Sequence, residues 1–152
     1  MSARMKSAGT LRIAGYASVF DLPDKGGDVV VRGAFADAAT PLPLLWQHQA
    51  HEPIGFVDSL REDARGLRVT ARIIGEGRGA EAAALVRAGA LDGLSIGYRV
   101  KAASAGGGRA RTGRRLERLE LVEVSLVTFP MQREARVLGW QQEEDNNAGS
   151  EI

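Results

Sequence analysis

Three residues stand out in this 152-residue chain for the chemistry they could share: Ser95, His48 and Glu123. Ser95 lies in Asp92-Gly93-Leu94-Ser95-Ile96-Gly97-Tyr98, between glycines that leave its hydroxyl uncrowded and let another backbone come close. The spacing is Gly-x-Ser-x-Gly, but the context is the onset of a strand and not a strand-to-helix elbow. His48 closes the apolar run of residues 42–47 and precedes the irregular Gln49-Ala50-His51-Glu52-Pro53, which puts its ring at a strand end beside loops. Glu123 is flanked by Val122 and Val124, where burying an unpaired carboxylate is costly. Each has a plainer alternative: Ser95 facing solvent from a strand, His48 as a polar residue satisfied locally, Glu123 pointing outward or paired with Arg99. Taken together, a hydroxyl, an imidazole and a carboxylate are the inventory of base-activated nucleophilic attack, in which the acid orients the imidazole and the imidazole takes the hydroxyl proton.

Other constellations are weaker. His48 and His51 with Glu52 lack the helical His-Glu-x-x-His frame that presents two nitrogens to zinc, so no metal is expected. The run Gly75-Glu76-Gly77-Arg78-Gly79 has no following Gly-Lys-Ser/Thr and reads as a turn, not a phosphate cradle; no cofactor is expected. Arg109, Arg111, Arg114, Arg115 and Arg118 cluster without interleaved aromatics, which favours a solvated loop over a nucleic-acid platform. Twenty Lys+Arg against 19 Asp+Glu leave a net charge of +1, too little to draw in polyanions or anionic membranes. With no cysteine, thiol nucleophiles, thiolate metal sites and disulfides are excluded, and a reducing compartment is indicated. The start of the chain has no apolar signal-like core and no run is long enough to cross a bilayer, so a protein within the cell is expected, without membrane association.

The elements that must position these residues are mostly short strands. Residues 10–20 read as a bulged strand interrupted at Gly15, residues 21–28 as a loop, 33–39 as a short helical turn, and 42–47 as a buried strand. Leu67, Val69, Ala71 and Ile73 alternate with Arg68, Thr70 and Arg72, a half-solvated strand that pairs with residues 54–60 through the turn at 62–66. Residues 79–90 carry an alanine-rich helix ended by Gly89 or Gly93, followed by a strand at 94–100. Residues 102–115 read as a mobile Gly/Ser/Arg loop. Residues 116–129 form the longest strand, apolar on both faces, with Leu119, Leu121 and Val127 on one and Val122, Val124 and Leu126 on the other. The expected organisation is a flexible segment at 1–8, one domain at 9–139 and a disordered polar tail at 140–152. The fold class is mainly β with one or two peripheral helices (α+β), a small closed β-barrel.

With these segments in order, the chain resembles the tailed-phage prohead (capsid maturation) serine proteases, distantly similar to the herpesvirus assemblins. The matching stretches are Gly15-Tyr16-Ala17-Ser18-Val19-Phe20, Val31-Arg32-Gly33-Ala34-Phe35, Leu44-Leu45-Trp46-Gln47-His48 with Pro53-Ile54-Gly55, Gly93-Leu94-Ser95-Ile96-Gly97-Tyr98, and Glu123-Val124-Ser125-Leu126-Val127-Thr128-Phe129-Pro130. The resemblance implies Ser95 as nucleophile, His48 as general base and, where assemblins have a second histidine, Glu123 as third member, with Glu120 as a substitute. It also implies oxyanion donors from the backbone around 131–133. The implied activity is endoproteolysis of the scaffold, or of the scaffold-like N-terminal segment of the major capsid protein, inside the immature capsid in the host cytoplasm. Self-cleavage and a homodimer are further implications. The alternative is an inactive, protease-like assembly protein of a phage-derived particle or gene transfer agent.

Overall fold

The structure is a computed structural model that describes residues 9–105 and 113–143. Eight strands and one helix follow in the order β1 (Thr10–Val19), β2 (Val29–Val30), β3 (Leu42–Trp46), β4 (Gln49–Glu62), β5 (Gly66–Ile74), α1 (Gly77–Arg87), β6 (Gly93–Ala105), β7 (Arg114–Val127) and β8 (Val137–Glu143). They form one sheet in the order β2-β7-β3-β4-β5-β1-β8, with β6 also paired to β7. The period-2 pattern of β5 is realised in full: Leu67, Val69, Ala71 and Ile73 are buried while Arg68, Thr70 and Arg72 are partly solvated. Leu11 and Ile13 from β1, Leu44 from β3, Ile54 and Val57 from β4, and Leu116, Leu119, Val124 and Leu126 from β7 complete the core.

The sheet does not close into the expected barrel. β8 pairs with β1 from Thr10 to Gly15 and takes the edge that β6 would need for closure. The seam is stitched instead by residues 135–137, leading into β8: Leu94 N–H donates to Ala135 C=O at 3.0 Å, Val137 N–H to Asp92 C=O at 2.8 Å, and Tyr16 N–H to Arg136 C=O at 3.1 Å. One helix is present among the described residues. It begins at Gly77, inside the stretch read as a turn, and buries Gly79, Ala82, Ala83 and Val86, the i, i+3, i+4, i+7 stripe, against β4 and β5. Its end is a Schellman cap with Gly89 at φ +78°, Gly89 N–H donating to Val86 C=O and Ala90 N–H to Leu85 C=O. The expected helical turn at 33–39 is a chain of i→i+3 turns from Val31 to Ala38.

Two boundaries also move. Ala102–Ala105 and Arg114–Arg115 are paired strand and not loop, so of the expected mobile segment only 106–112 lies outside the described residues. The expected tail begins within β8, since Trp140–Glu143 pair with Thr10–Ile13; residues 1–8 and 144–152 lie outside the described residues. Among the described residues no helix is long and apolar enough to cross a membrane.

Candidate active site

The antiparallel register of β6 and β7 sets Ser95 opposite Ser125 and Gly97 opposite Glu123. Directly opposed residues, and residues two apart on a strand, share a face, so Ser95, Ser125 and Glu123 line one patch. That face is created by a bulge. The register skips from Gly97–Glu123 to Tyr98–Leu121, leaving Val122 unpaired and exposed. Before the bulge the odd-numbered Leu119 and Leu121 point into the core; after it the even-numbered Val124 and Leu126 do. Leu119, Leu121, Val124 and Leu126 therefore form one core face switching parity, and the switch puts Glu123, Ser125 and the buried Val127 on the opposite face.

His48 reaches the patch from the β3–β4 hairpin. Trp46 pairs with Gln49, and the two residues between, Gln47 and His48, have φ of 51° and 61°. Positive φ at both central positions is what a two-residue type I′ hairpin requires, a conformation that costs non-glycine residues energy and needs support. β7 supplies it. Gln47 N–H donates to Leu126 C=O at 2.9 Å, and its side chain exchanges two hydrogen bonds with Thr128, Nε2 to Oγ1 at 2.8 Å and Oε1 from the Thr128 N–H at 3.1 Å. His48 N–H donates to Ser125 Oγ at 3.1 Å.

His48 Nδ1 lies 2.8 Å from Glu123 Oε2, and the Ser125 hydroxyl donates to Glu123 Oε1 at 2.8 Å. A carboxylate only accepts, so Nδ1 carries the hydrogen and Nε2 keeps its lone pair for a proton from elsewhere. The Glu123 residue is 8% exposed, and both its oxygens are satisfied, which answers the cost of burying it. The hydrogen bond to Glu123 raises the His48 pKa above its ordinary 6.5; partial burial opposes this and the charge of Glu123 adds to it. Ser95 is 4% exposed. Among the described residues the hydrogen bonds of His48 run to Glu123 and Ser125, and none joins it to Ser95. Ser95 also lines a small cavity of about 40 Å³ with Leu22, Val30, Ile96, Met131 and Gln132.

A family model for the caudovirus prohead serine proteases matches residues 1–148. The chain belongs to this family. It is 34% identical over 130 residues to the prohead protease of Enterobacteria phage HK97, covering 81% of this chain and 57% of that protein. It is 33% identical over 132 residues to a capsid polyprotein of Pseudomonas phage PAJU2, covering 82% of this chain and 19% of that one. The fold matches KSHV protease, solved with a hexapeptide phosphonate inhibitor, at a TM-score of 0.60 and 15% identity over 88% of this chain and 66% of that chain. This prohead protease relative thus has the herpesvirus protease fold, in an open sheet.

The other sequence candidates sort on the same geometry. Glu120, the substitute third member, pairs with Arg99 at 3.4 Å and is exposed, so Arg99 is not the partner of Glu123. Glu52 binds Arg78 at 3.2 Å, and among the described residues no three metal-ligating side chains gather. Arg114, Arg115 and Arg118 each face an acid, Asp28, Glu117 and Asp37; Arg109 and Arg111 lie outside the described residues. Sequence reasoning missed Ser125 and Gln47. The signal for Ser125 was Glu-x-Ser on a strand, which places both side chains on one face. Nothing in the local pattern of Gln47 marks its reach across to Thr128, 81 residues away.

Proposed function

We propose that this chain is a serine endopeptidase of capsid maturation, in which Ser95 is the nucleophile, His48 the general base and Glu123 the residue that orients and charges the imidazole. The observation that carries this is the 2.8 Å contact between His48 and Glu123, over the sheet face that also bears Ser95, in a chain of the prohead protease family. Ser95 Oγ attacks the scissile carbonyl as its proton passes to His48 Nε2. The imidazolium, stabilised by Glu123, then protonates the leaving amine, and a water activated by the same nitrogen hydrolyses the acyl-enzyme. Catalytic hydrogen bonds in substrate-free enzymes often tighten in the Michaelis complex, and the Ser95–His48 contact belongs to that step. Oxyanion donors come from the backbone at 131–133, an assignment supported by Met131 and Gln132 sharing the Ser95 cavity.

The substrate in this reading is the scaffold, or the scaffold-like N-terminal segment of the major capsid protein, cut within the immature capsid in the host cytoplasm. Self-cleavage and a homodimer belong to the same proposal. Co-expression with the cognate capsid and scaffold proteins tests it. Wild-type chain is expected to yield processed subunits, and Ser95→Ala, lowering kcat by on the order of a million-fold, intact ones. Processing at the wild-type rate by Ser95→Ala would overturn the assignment, and intact subunits in well-formed shells with the wild type would make the protein an assembly factor instead.

A further inference from the structure

Ser125 lies at the centre of the site yet has no part in the proton transfers of the proposed mechanism. It is fully buried, and its single hydroxyl is used twice: the oxygen accepts the His48 backbone N–H at 3.1 Å and the hydrogen goes to Glu123 Oε1 at 2.8 Å. The same two residues meet through their side chains at 2.8 Å. The result is a closed loop of three hydrogen bonds: Ser125 to Glu123, Glu123 to the His48 ring, and the His48 backbone back to Ser125. Ser125 is wholly enclosed, whereas Ser95 lines a cavity, which separates the two hydroxyls. It is well placed, however, to fix the two variables that a base and its orienting acid need. Holding Oε1 turns Oε2 toward Nδ1, and holding the N–H fixes the left-handed backbone from which the imidazole projects.

We propose that Ser125 is a positioning residue: one hydroxyl that locks the Glu123 carboxylate and the His48 backbone in the geometry that aims the imidazole at Ser95. This rests on the Ser95–His48–Glu123 reading and deepens it. Loss of the hydroxyl frees both the carboxylate and the turn, so the Glu123 hydrogen bond that raises the His48 pKa weakens. Glu123 is the charged side chain in contact with the ring among the described residues.

The test compares wild type, Ser125→Ala, Ser125→Cys and Ser95→Ala in the full chain, using phosphonylation of Ser95 by a fluorophosphonate and NMR titration of the His48 ring. Loss of one hydrogen bond to a charged group corresponds to about a 10- to 100-fold effect. Ser125→Ala is expected to lower the maximal labelling rate by that factor, leave the half-saturating concentration unchanged and displace the His48 titration downward, as the Glu123 hydrogen bond loosens. Ser125→Cys, similar in size with a weaker donor, is expected to fall between. A folded Ser125→Ala with wild-type labelling and an unmoved His48 titration would overturn the inference. Should Ser125→Ala not fold, Ser125→Cys decides: wild-type labelling and an unmoved titration overturn it, and an intermediate rate with a downward displacement supports it. Labelling that persists in Ser95→Ala would instead strike the underlying reading, so the two failures are distinguishable.

Discussion

The Glu123 carboxylate occupies the space that a side chain at residue 97 would need: a β-carbon built on Gly97 comes within 2.8 Å of Glu123 Cδ and 2.9 Å of its Cγ. Gly97 stands directly across from Glu123 in the ladder, so the contact cannot be relieved by sliding the strands without moving Ser95 as well. Gly97→Ala is therefore expected to push the carboxylate out of register with His48 while leaving the core, on the opposite face, intact. A displacement of about 1 Å in such a network costs about 100-fold in rate. Peptidase assays beside thermal melts check this. A marked loss of activity with a nearly unchanged Tm is the expected result, and full activity in Gly97→Ala would mean that the Glu123 position is not critical.

The pH dependence follows from the His48–Glu123 pair. The Glu123 hydrogen bond raises the His48 pKa above 6.5, with partial burial opposing and the charge reinforcing it. A base works only when neutral, so kcat/KM is expected to rise with pH through an inflection above 6.5. Glu123→Gln removes the charge and should move that inflection toward acid while lowering kcat by about ten-thousand-fold. For folding the sign is opposite to that of activity. A raised folded pKa means that the native state binds the proton more tightly, so this contribution is fully present below the unfolded value near 6.5 and is lost as pH rises through the folded pKa. The stability difference between wild type and His48→Ala, measured by denaturant melts, should accordingly shrink from mildly acidic to alkaline pH.

Gln47 offers a way to loosen the base without touching the chemistry. Its side chain makes two hydrogen bonds with Thr128 and anchors the turn whose left-handed residues present His48. The contact is open to solvent, so water replaces part of what is lost, and Gln47→Ala is expected to cost about 1 kcal/mol of stability. The consequence for rate should lie in kcat and not KM. Steady-state kinetics separate the two, and a change confined to KM would assign Gln47 to substrate binding.

How much of this was legible in the sequence depended on whether a residue's role is local. The alternation at 67–73 marks β5 because each side chain of a half-solvated strand reports its own face. Ser95, His48 and Glu123 were legible as anomalies, and His48 and Glu123 do meet. What stayed hidden is set by partners far along the chain. The bulge at Val122 reverses which residues of β7 face the core, and only the pairing with β6 reveals it. Barrel closure failed because β8 claims the edge of β1, a competition between strands that no local pattern records. The glycines beside Ser95 read as leaving its hydroxyl uncrowded and letting another backbone come close, whereas at Gly97 the room is taken by Glu123.

The polar run after Gly139 shows the same limit and carries the last prediction. Trp140-Gln141-Gln142-Glu143 has the composition of a tail, yet these four residues pair with Thr10–Ile13 as the edge of the sheet. Polar composition is what an edge strand needs, since one side faces solvent and charge discourages pairing with other chains. Removing residues from 140 onward would strip β1 of these partners and uncover backbone next to the buried Leu11 and Ile13. With about 1 kcal/mol for each hydrogen bond, offset by the entropy returned to the chain, the net loss is about 2 kcal/mol, a fall in Tm of roughly 4–8 °C for a domain of this size. The contacts that tie Ala135 and Val137 to the start of β6 are kept in such a truncation, so kcat at low temperature is expected to hold while thermal inactivation comes earlier. A truncation at 139 that melts with the full chain would show that the pairing of Trp140–Glu143 with β1 adds nothing to stability.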